Sequence, residues 1–151
     1  MSEAAFGAYL ARSIPEYAEE KVRAGSWHPD DALRLSQEGF DKFLPEGMAT
    51  AGHFLFELVE APTNHGVGCL WIFINDKARP PRSWIYDIAI EEPHRRRGLG
   101  KSALKLAEDE AGRRGSTLME LHVFGWNTRA IALYEKSGYT YVDMVMSKPI
   151  G

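Results

Sequence analysis

Apolar positions along this chain switch from helical spacing to strand-like runs and back. Phe6, Tyr9, Leu10, Ser13 and Tyr17 recur at helical intervals, and Pro15 predicts a kink or restart within that helix. Gly25-Ser26 breaks the pattern. Pro29-Asp30-Asp31 then opens a second helix whose stripe is Leu33, Gln37, Phe40 and Leu44, stopped by Pro45 and Gly47. Gly52 to Glu60 and Val67 to Asn75 read as strands joined by a Pro-Thr-Asn-His-Gly turn, hence a hairpin. After a polar, proline-rich loop, Trp84 to Ile90 forms a third strand, apolar throughout except for Asp87.

The pattern then returns to helical spacing. Leu99, Ala103, Leu106, Ala107 and Ala111 line a helix that ends in Arg113, Arg114 and Gly115, a basic last turn followed by glycine. Thr117 to Phe124 is a fourth strand with Met119, Leu121 and Val123 on one face. Asn127 caps a short helix through Lys136, Gly138 closes it, and Tyr139 to Met146 is a final strand. The order α-α-β-β-β-α-β-α-β predicts an α/β fold: a mixed, mostly antiparallel sheet with helices on both faces. No repeat or long linker divides residues 1–151, so a single domain is expected.

Composition narrows the function. The 151 residues carry a net charge of −3, which argues against a general nucleic-acid binder, whose affinity comes from many phosphate contacts. The run Arg95-Arg96-Arg97 is local and suits a small anion better than a duplex. One cysteine, Cys69, excludes an internal disulfide framework and fits a reducing cytoplasm; it reads as a small core residue. No apolar run is long enough to span a bilayer, so no membrane partner is expected.

The chemistry concentrates where the third strand meets the next helix, at Arg95-Arg96-Arg97-Gly98-Leu99-Gly100-Lys101-Ser102. A helix start leaves backbone N–H groups unpaired and carries partial positive charge. Gly98 and Gly100 allow an anion close to those donors, and arginine pairs two phosphate oxygens at once. Taken alone, the motif fits either a pyrophosphate cradle or a solvated basic turn. It meets neither the G-x-G-x-x-G nor the P-loop pattern, since Ala103 and Arg95 stand at the decisive positions.

With Asn127-x-x-Ala130-x-x-Leu133-Tyr134-Glu135-Lys136-x-Gly138-Tyr139 one helix and one strand later, the chain resembles the GNAT superfamily of acetyl-CoA-dependent N-acetyltransferases. The resemblance covers nearly the whole chain. One departure is that the first strand usual in the family is missing or shortened here. The resemblance implies acetyl-CoA as co-substrate, with no metal, and an amine acceptor that is a small molecule, peptide or protein. It places the diphosphate at Arg95 to Ser102 and pantetheine along Ile88, Ala89 and Ile90, with Asn127 and Ala130 also meeting the cofactor. Within the window Ile88 to Ile90 it further implies a backbone N–H for the oxyanion.

Tyr134 is the expected proton donor to the departing thiolate, because a phenol with pKa about 10 stays protonated at neutral pH. The bland reading is a tyrosine packed on a helix face. Candidate general bases are Asp87, Glu120 and His122, each of which could instead be an ion pair or a hydrogen-bonded core group. Trp71 and Trp84 read as core, and Trp27 and Trp126 as acceptor-pocket candidates. A non-catalytic acyl-CoA-binding regulatory module is the alternative function, and the chain alone leaves a homodimer open.

Overall fold

The computed structural model describes residues Met1–Gly151. Its elements are α1 (Glu3–Arg23), α2 (Pro29–Phe43), β1 (His53–Glu60), β2 (His65–Asn75), β3 (Arg82–Ile90), α3 (Leu99–Arg113), β4 (Leu118–Leu121) and α4 (Thr128–Lys136). The sheet order is β1-β2-β3-β4; the first two pairings are antiparallel and β3–β4 is parallel. The predicted α/β class and mixed sheet therefore stand, with four strands.

No strand precedes α1. Ser2 caps that helix by accepting from Ala5 N–H at 3.2 Å, and the Met1 amine donates to Leu55 O at 3.3 Å. Of the kink or restart expected at Pro15, the restart does not occur: the helix is continuous from Glu3 to Arg23. Its neighbour α2 sits close there, and Ser36 Oγ donates to Ile14 O at 2.7 Å. The face of α2 turned to α1 is Ala32 and Ser36, while Leu33 is 58% exposed. Small side chains let the helices approach, so tertiary contact, not apolar periodicity, chose the buried face. In α3 likewise, Leu104 is buried and Leu106 exposed; the buried stripe is Ala103, Leu104, Ala107 and Ala111.

Two apolar clusters flank the sheet. One joins α3 to Leu58, Leu70, Ile72, Ile74 and Ile85, with Tyr134 and Tyr139 packed at its margin. The other joins Tyr9 of α1 and Leu44 to Leu55, Cys69 and Trp71. From Cys69 to Ile74, odd- and even-numbered β2 residues serve opposite faces, as strand alternation requires, while Val67, the extra residue of a bulge against β1, joins the α3 cluster. Burial on both sides explains why β2 reads as a continuous apolar run.

Two strand predictions need correction. The fourth strand is only Leu118–Leu121, and His122 to Phe124 leave the ladder. The final strand, Tyr139 to Met146, does not form: beyond α4 the chain is irregular, and from Thr140 onward it is exposed. A strand needs a neighbour to satisfy its backbone groups, and this segment meets none within the chain.

Candidate active site

β3 and β4 pair only from Arg82↔Leu118 to Ile85↔Leu121. Beyond that point β3 continues to Ile90 with β2 on one side and no strand on the other. The strands thus part and leave a cleft edged by the backbone of Tyr86, Asp87, Ile88, Ala89 and Ile90. On the closed side the strands are tightly joined: a Cβ on Gly68 of β2 would run into Ala89 O, so only glycine fits. The free edge can take an extended ligand as an added strand.

Where the strands part, β3 carries a bulge. Trp71 faces Asp87 but Ile72 faces Ile85, so Tyr86 is the extra residue. The bulge breaks the alternation and turns two successive side chains toward α1 and α2. Tyr86 stacks on Trp71 with ring centres 4.6 Å apart, and also meets Phe43 of α2 at 4.9 Å. Asp87 meets α1: its Oδ2 accepts from Tyr9 Oη at 3.0 Å and lies 3.8 Å from Cys69 Sγ.

Burial is the main reason the Asp87 carboxyl is held above the usual carboxylate range; the Tyr9 hydrogen bond and the Arg12 charge only partly offset it. Arg12 Nη2 donates to Cys69 Sγ at 3.2 Å, and Arg12 Nε stands 3.7 Å from Glu16 Oε2. Burial, then neighbouring Asp87, pushes the Cys69 thiol up to about 12, so it stays protonated at neutral pH. Glu20 is raised as well, by burial first and then by Asp87 and Glu16. The α1 face Tyr9, Arg12, Glu16, Glu20 therefore borders the cleft. Its charged members lie outside the apolar pattern of α1, although their spacing of three and four residues marks one helix face.

Beyond Ile90 the chain turns sharply into α3. Gly98 is its N-cap with φ 79°, and Arg96 has φ 64°, both left-handed. That conformation is costly for arginine, and such strain gathers at ligand-binding turns. Lys101 and Ser102 N–H groups donate to Gly98 O at 3.1 and 3.2 Å. The five preceding N–H groups, Arg96 to Gly100, have no acceptor within the protein. Arg95 Nε reaches back to Ile90 O at 2.8 Å, and Arg97 Nη2 holds Glu60 Oε1 at 2.6 Å. Exposed donors, helix-end charge, and the nearby cations Arg96 and Lys101 suit a polyanion.

α4 adjoins this turn. A Cβ on Gly100 would sit 3.4 Å from Leu133 Cδ2. Asn127 Oδ1 caps α4 by accepting from Ala130 N–H at 3.2 Å, which leaves the side-chain NH2 to donate elsewhere. Tyr134 is half-buried and packs on Tyr139 with ring centres 5.8 Å apart. Its hydroxyl is raised by burial and then by the nearby Asp87 charge, so it stays protonated at neutral pH. The two groups are thus electrostatic neighbours.

Glu120 lies elsewhere on β4, with Oε2 held by Arg82 Nη1 at 3.3 Å, an ion pair that ties the strands where they are still joined. His122 lies just past β4, edge-on to Phe124 at 4.9 Å. Burial and then Lys21 lower its pKa, so it is neutral at pH 7. Trp126 stacks on Phe124 (5.6 Å, 11°) beneath Arg23, and Trp27 packs on Tyr17 beside Lys21. Both tryptophans therefore gather at the C-terminal end of α1. Trp71 is buried in the core, as expected, whereas Trp84 is only half-buried and lies outside both apolar clusters.

The sequence pattern described as the acetyltransferase (GNAT) family matches residues 16–139. The chain is 39% identical to the uncharacterized N-acetyltransferase YycN of Bacillus subtilis (strain 168) over 145 residues, covering 96% of this chain and 92% of that one. YdgE, a second uncharacterized N-acetyltransferase of the same organism, is 26% identical over 150 residues, covering 99% and 95%. The crystal structure of YycN superposes with a TM-score of 0.95, covering 99% of this chain and 95% of that one.

Proposed function

The chain belongs to the acetyltransferase (GNAT) family, and we propose that it moves an acetyl group from acetyl-CoA to a primary amine of a small molecule or of a peptide or protein. The observation that carries this reading is the row of unpaired N–H groups from Arg96 to Gly100, opening onto the free edge of β3. Those donors, with Arg96 and Lys101, suit the diphosphate of coenzyme A, and Asn127 is available to its pantetheine arm. The β3 edge from Ile88 to Ile90 suits the extended thioester and offers main-chain N–H to the carbonyl oxygen.

The residues then divide the chemistry. Glu16, Glu20 and Asp87 give the cleft an acidic wall, which favours approach of a cationic amine. Asp87, raised above an ordinary carboxylate, accepts a proton from the ammonium, directly or through water. The freed amine attacks the acetyl carbonyl; the carbon–nitrogen bond forms and the carbon–sulfur bond breaks. Tyr134 gives its proton to the departing sulfur, the nitrogen loses its second proton to the Tyr134 oxygen through water, and Asp87 returns its proton to solvent. Glu120, engaged by Arg82, and His122, at the far end beside Lys21, are secondary candidates for the base. The single reduced cysteine fits a cytoplasmic enzyme; no helix is long and apolar enough to cross a membrane.

The test is thiol release from acetyl-CoA across a panel of amines and peptides, with mass spectrometry of the products. Acetylated amine and free thiol in equal amounts are expected. Tight acetyl-CoA binding with no acetylated product from any amine would replace this reading with that of a non-catalytic acyl-CoA-binding module.

A further inference from the structure

α1 sorts its charges along its length. Glu16 and Glu20 stand within electrostatic reach of Asp87. The two cations that follow, Lys21 and Arg23, have no carboxylate partner in the chain. Both lie on aromatic rings instead. Lys21 Nζ is 5.4 Å from the centre of Tyr17, 5.5 Å from Trp27 and 5.8 Å from Phe124. Arg23 Cζ is 3.9 Å from the centre of Trp126. Phe124 and Trp126 are themselves stacked, 5.6 Å apart and 11° from parallel, so the pair carries one cation on each ring.

A cation in the last turn of a helix is ordinary, because that end carries partial negative charge. This explains the residue types at 21 and 23 and not the platform beneath them. A guanidinium over a ring uses its face and keeps its in-plane N–H groups for an anion. The rings also restrain two long side chains, so less rotamer freedom is left to lose when an anion binds. Two full charges outweigh the roughly half charge of the helix end. The indole N–H of Trp126 is enclosed and has no acceptor. A buried donor left unpaired is uncommon in folded proteins, and the partner it lacks is an acceptor.

The platform stands at the end of the cleft. Arg23 shares the α1 face of Glu16 and Glu20, which it follows by seven and three positions. Lys21 is near enough to His122, just past β4, to lower its pKa. Trp126 precedes Asn127, the cap of α4. At 1.5 Å per residue, Arg23 lies roughly 10 Å along the helix from Glu16.

We propose that the Phe124–Trp126 pair, with Lys21 and Arg23, is a subsite for an anionic group of the acceptor, which selects amines carrying a carboxylate or phosphate roughly 10 Å from the nitrogen. The proposal rests on the reading of the cleft as an acetyl-transfer site: the ammonium sits at the acids of Glu16, Glu20 and Asp87, and the anion at the cations beyond them. An extended peptide advances about 3.3–3.6 Å per residue, so the side chain of an acidic third residue reaches the subsite when the N-terminal amine is at Asp87.

Short peptides with a free N-terminal amine and an amidated C-terminus test this, the third residue being glutamate, phosphoserine, glutamine or lysine. Steady-state acetylation gives KM, and tryptophan fluorescence gives peptide affinity with and without coenzyme A. The wild type should take the glutamate or phosphoserine peptide with about tenfold lower KM than the glutamine one, and the lysine peptide worst; the better of the two acids tells a carboxylate site from a phosphate site. The preference should shrink as salt is raised, a reading that needs no substitution, and vanish in Lys21→Gln/Arg23→Gln. Equal KM and equal affinity for the glutamate and glutamine peptides overturn the subsite, as does a preference that survives the double substitution; acetylation of both peptides in that case leaves the transfer reading standing. Charge-ordered binding with no acetylated product supports the subsite and defeats the transfer reading. Absence of both defeats both.

Discussion

Tyr134 and Asp87 are 47 positions apart yet electrostatic neighbours, and they carry opposite duties in the proposed reaction. A phenol that protonates sulfur acts only as the carbon–sulfur bond breaks. Tyr134→Phe should therefore lower kcat by about 10²–10⁴-fold and leave acetyl-CoA affinity unchanged, measured by thiol release and by calorimetry. Asp87 adds a stability signature. Its carboxyl is raised in the folded protein, so the fold holds that proton more tightly than the unfolded chain does. The contribution is then complete below the unfolded carboxylate pKa of about 3.9 and is lost as pH rises through the higher folded value. Asp87→Asn should accordingly raise Tm at pH 7–8 and lose that advantage near pH 4, read by thermal melts across pH. The same variant should lose the acid limb of the kcat/KM profile and fall about 10²–10⁴-fold in turnover of lysine-like amines.

At the scale of elements, the decisive feature is how β3 and α3 are joined. The connection must reverse direction within a few residues and leave its N–H groups facing outward, and it does so through left-handed Arg96 and Gly98. At Gly98 nothing within 4 Å opposes an added Cβ, so the obstacle to a side chain there is φ 79° and not crowding. A β-branched residue in that conformation costs roughly 1–2 kcal/mol. Gly98→Val should weaken acetyl-CoA binding by about tenfold, as the turn relaxes and its donors diverge, while the far-ultraviolet circular dichroism stays the same. Unchanged affinity by calorimetry would mean that the turn does not hold the ligand. The bulge at Tyr86 is the companion device: without that extra residue, Asp87 would face α3 instead of Tyr9.

For the whole molecule, the sheet is held between two apolar clusters, α3 on one face and α1 on the other. Ile72 is fully buried in the α3 cluster, so Ile72→Ala should cost about 2–5 kcal/mol of stability, read by chemical denaturation, with acetyl-CoA affinity retained in the folded protein.

Much of this was legible along the chain because its signals are local. The helix start at Pro29, the hairpin, the glycine turn and the Asn127 cap each depend on neighbours within a few residues. The family motifs are of the same kind, and so Gly98, Gly100, Asn127 and Tyr134 could be named beforehand. What stayed hidden depends on residues far apart. Tyr9 and Asp87 are 78 positions apart, and only the packing of α1 across the bulged strand brings them within hydrogen-bonding distance. The buried faces of α2 and α3 were likewise chosen by the fit of Ala32, Ser36 and Leu104 against neighbours and not by apolar spacing. Residues 139–146 mark the boundary: alternation gives a segment its preference for extended backbone, but a strand exists only where another edge accepts its hydrogen bonds. No partner for that segment is found within the chain, because pairing is a relation between surfaces and not a property of the segment itself.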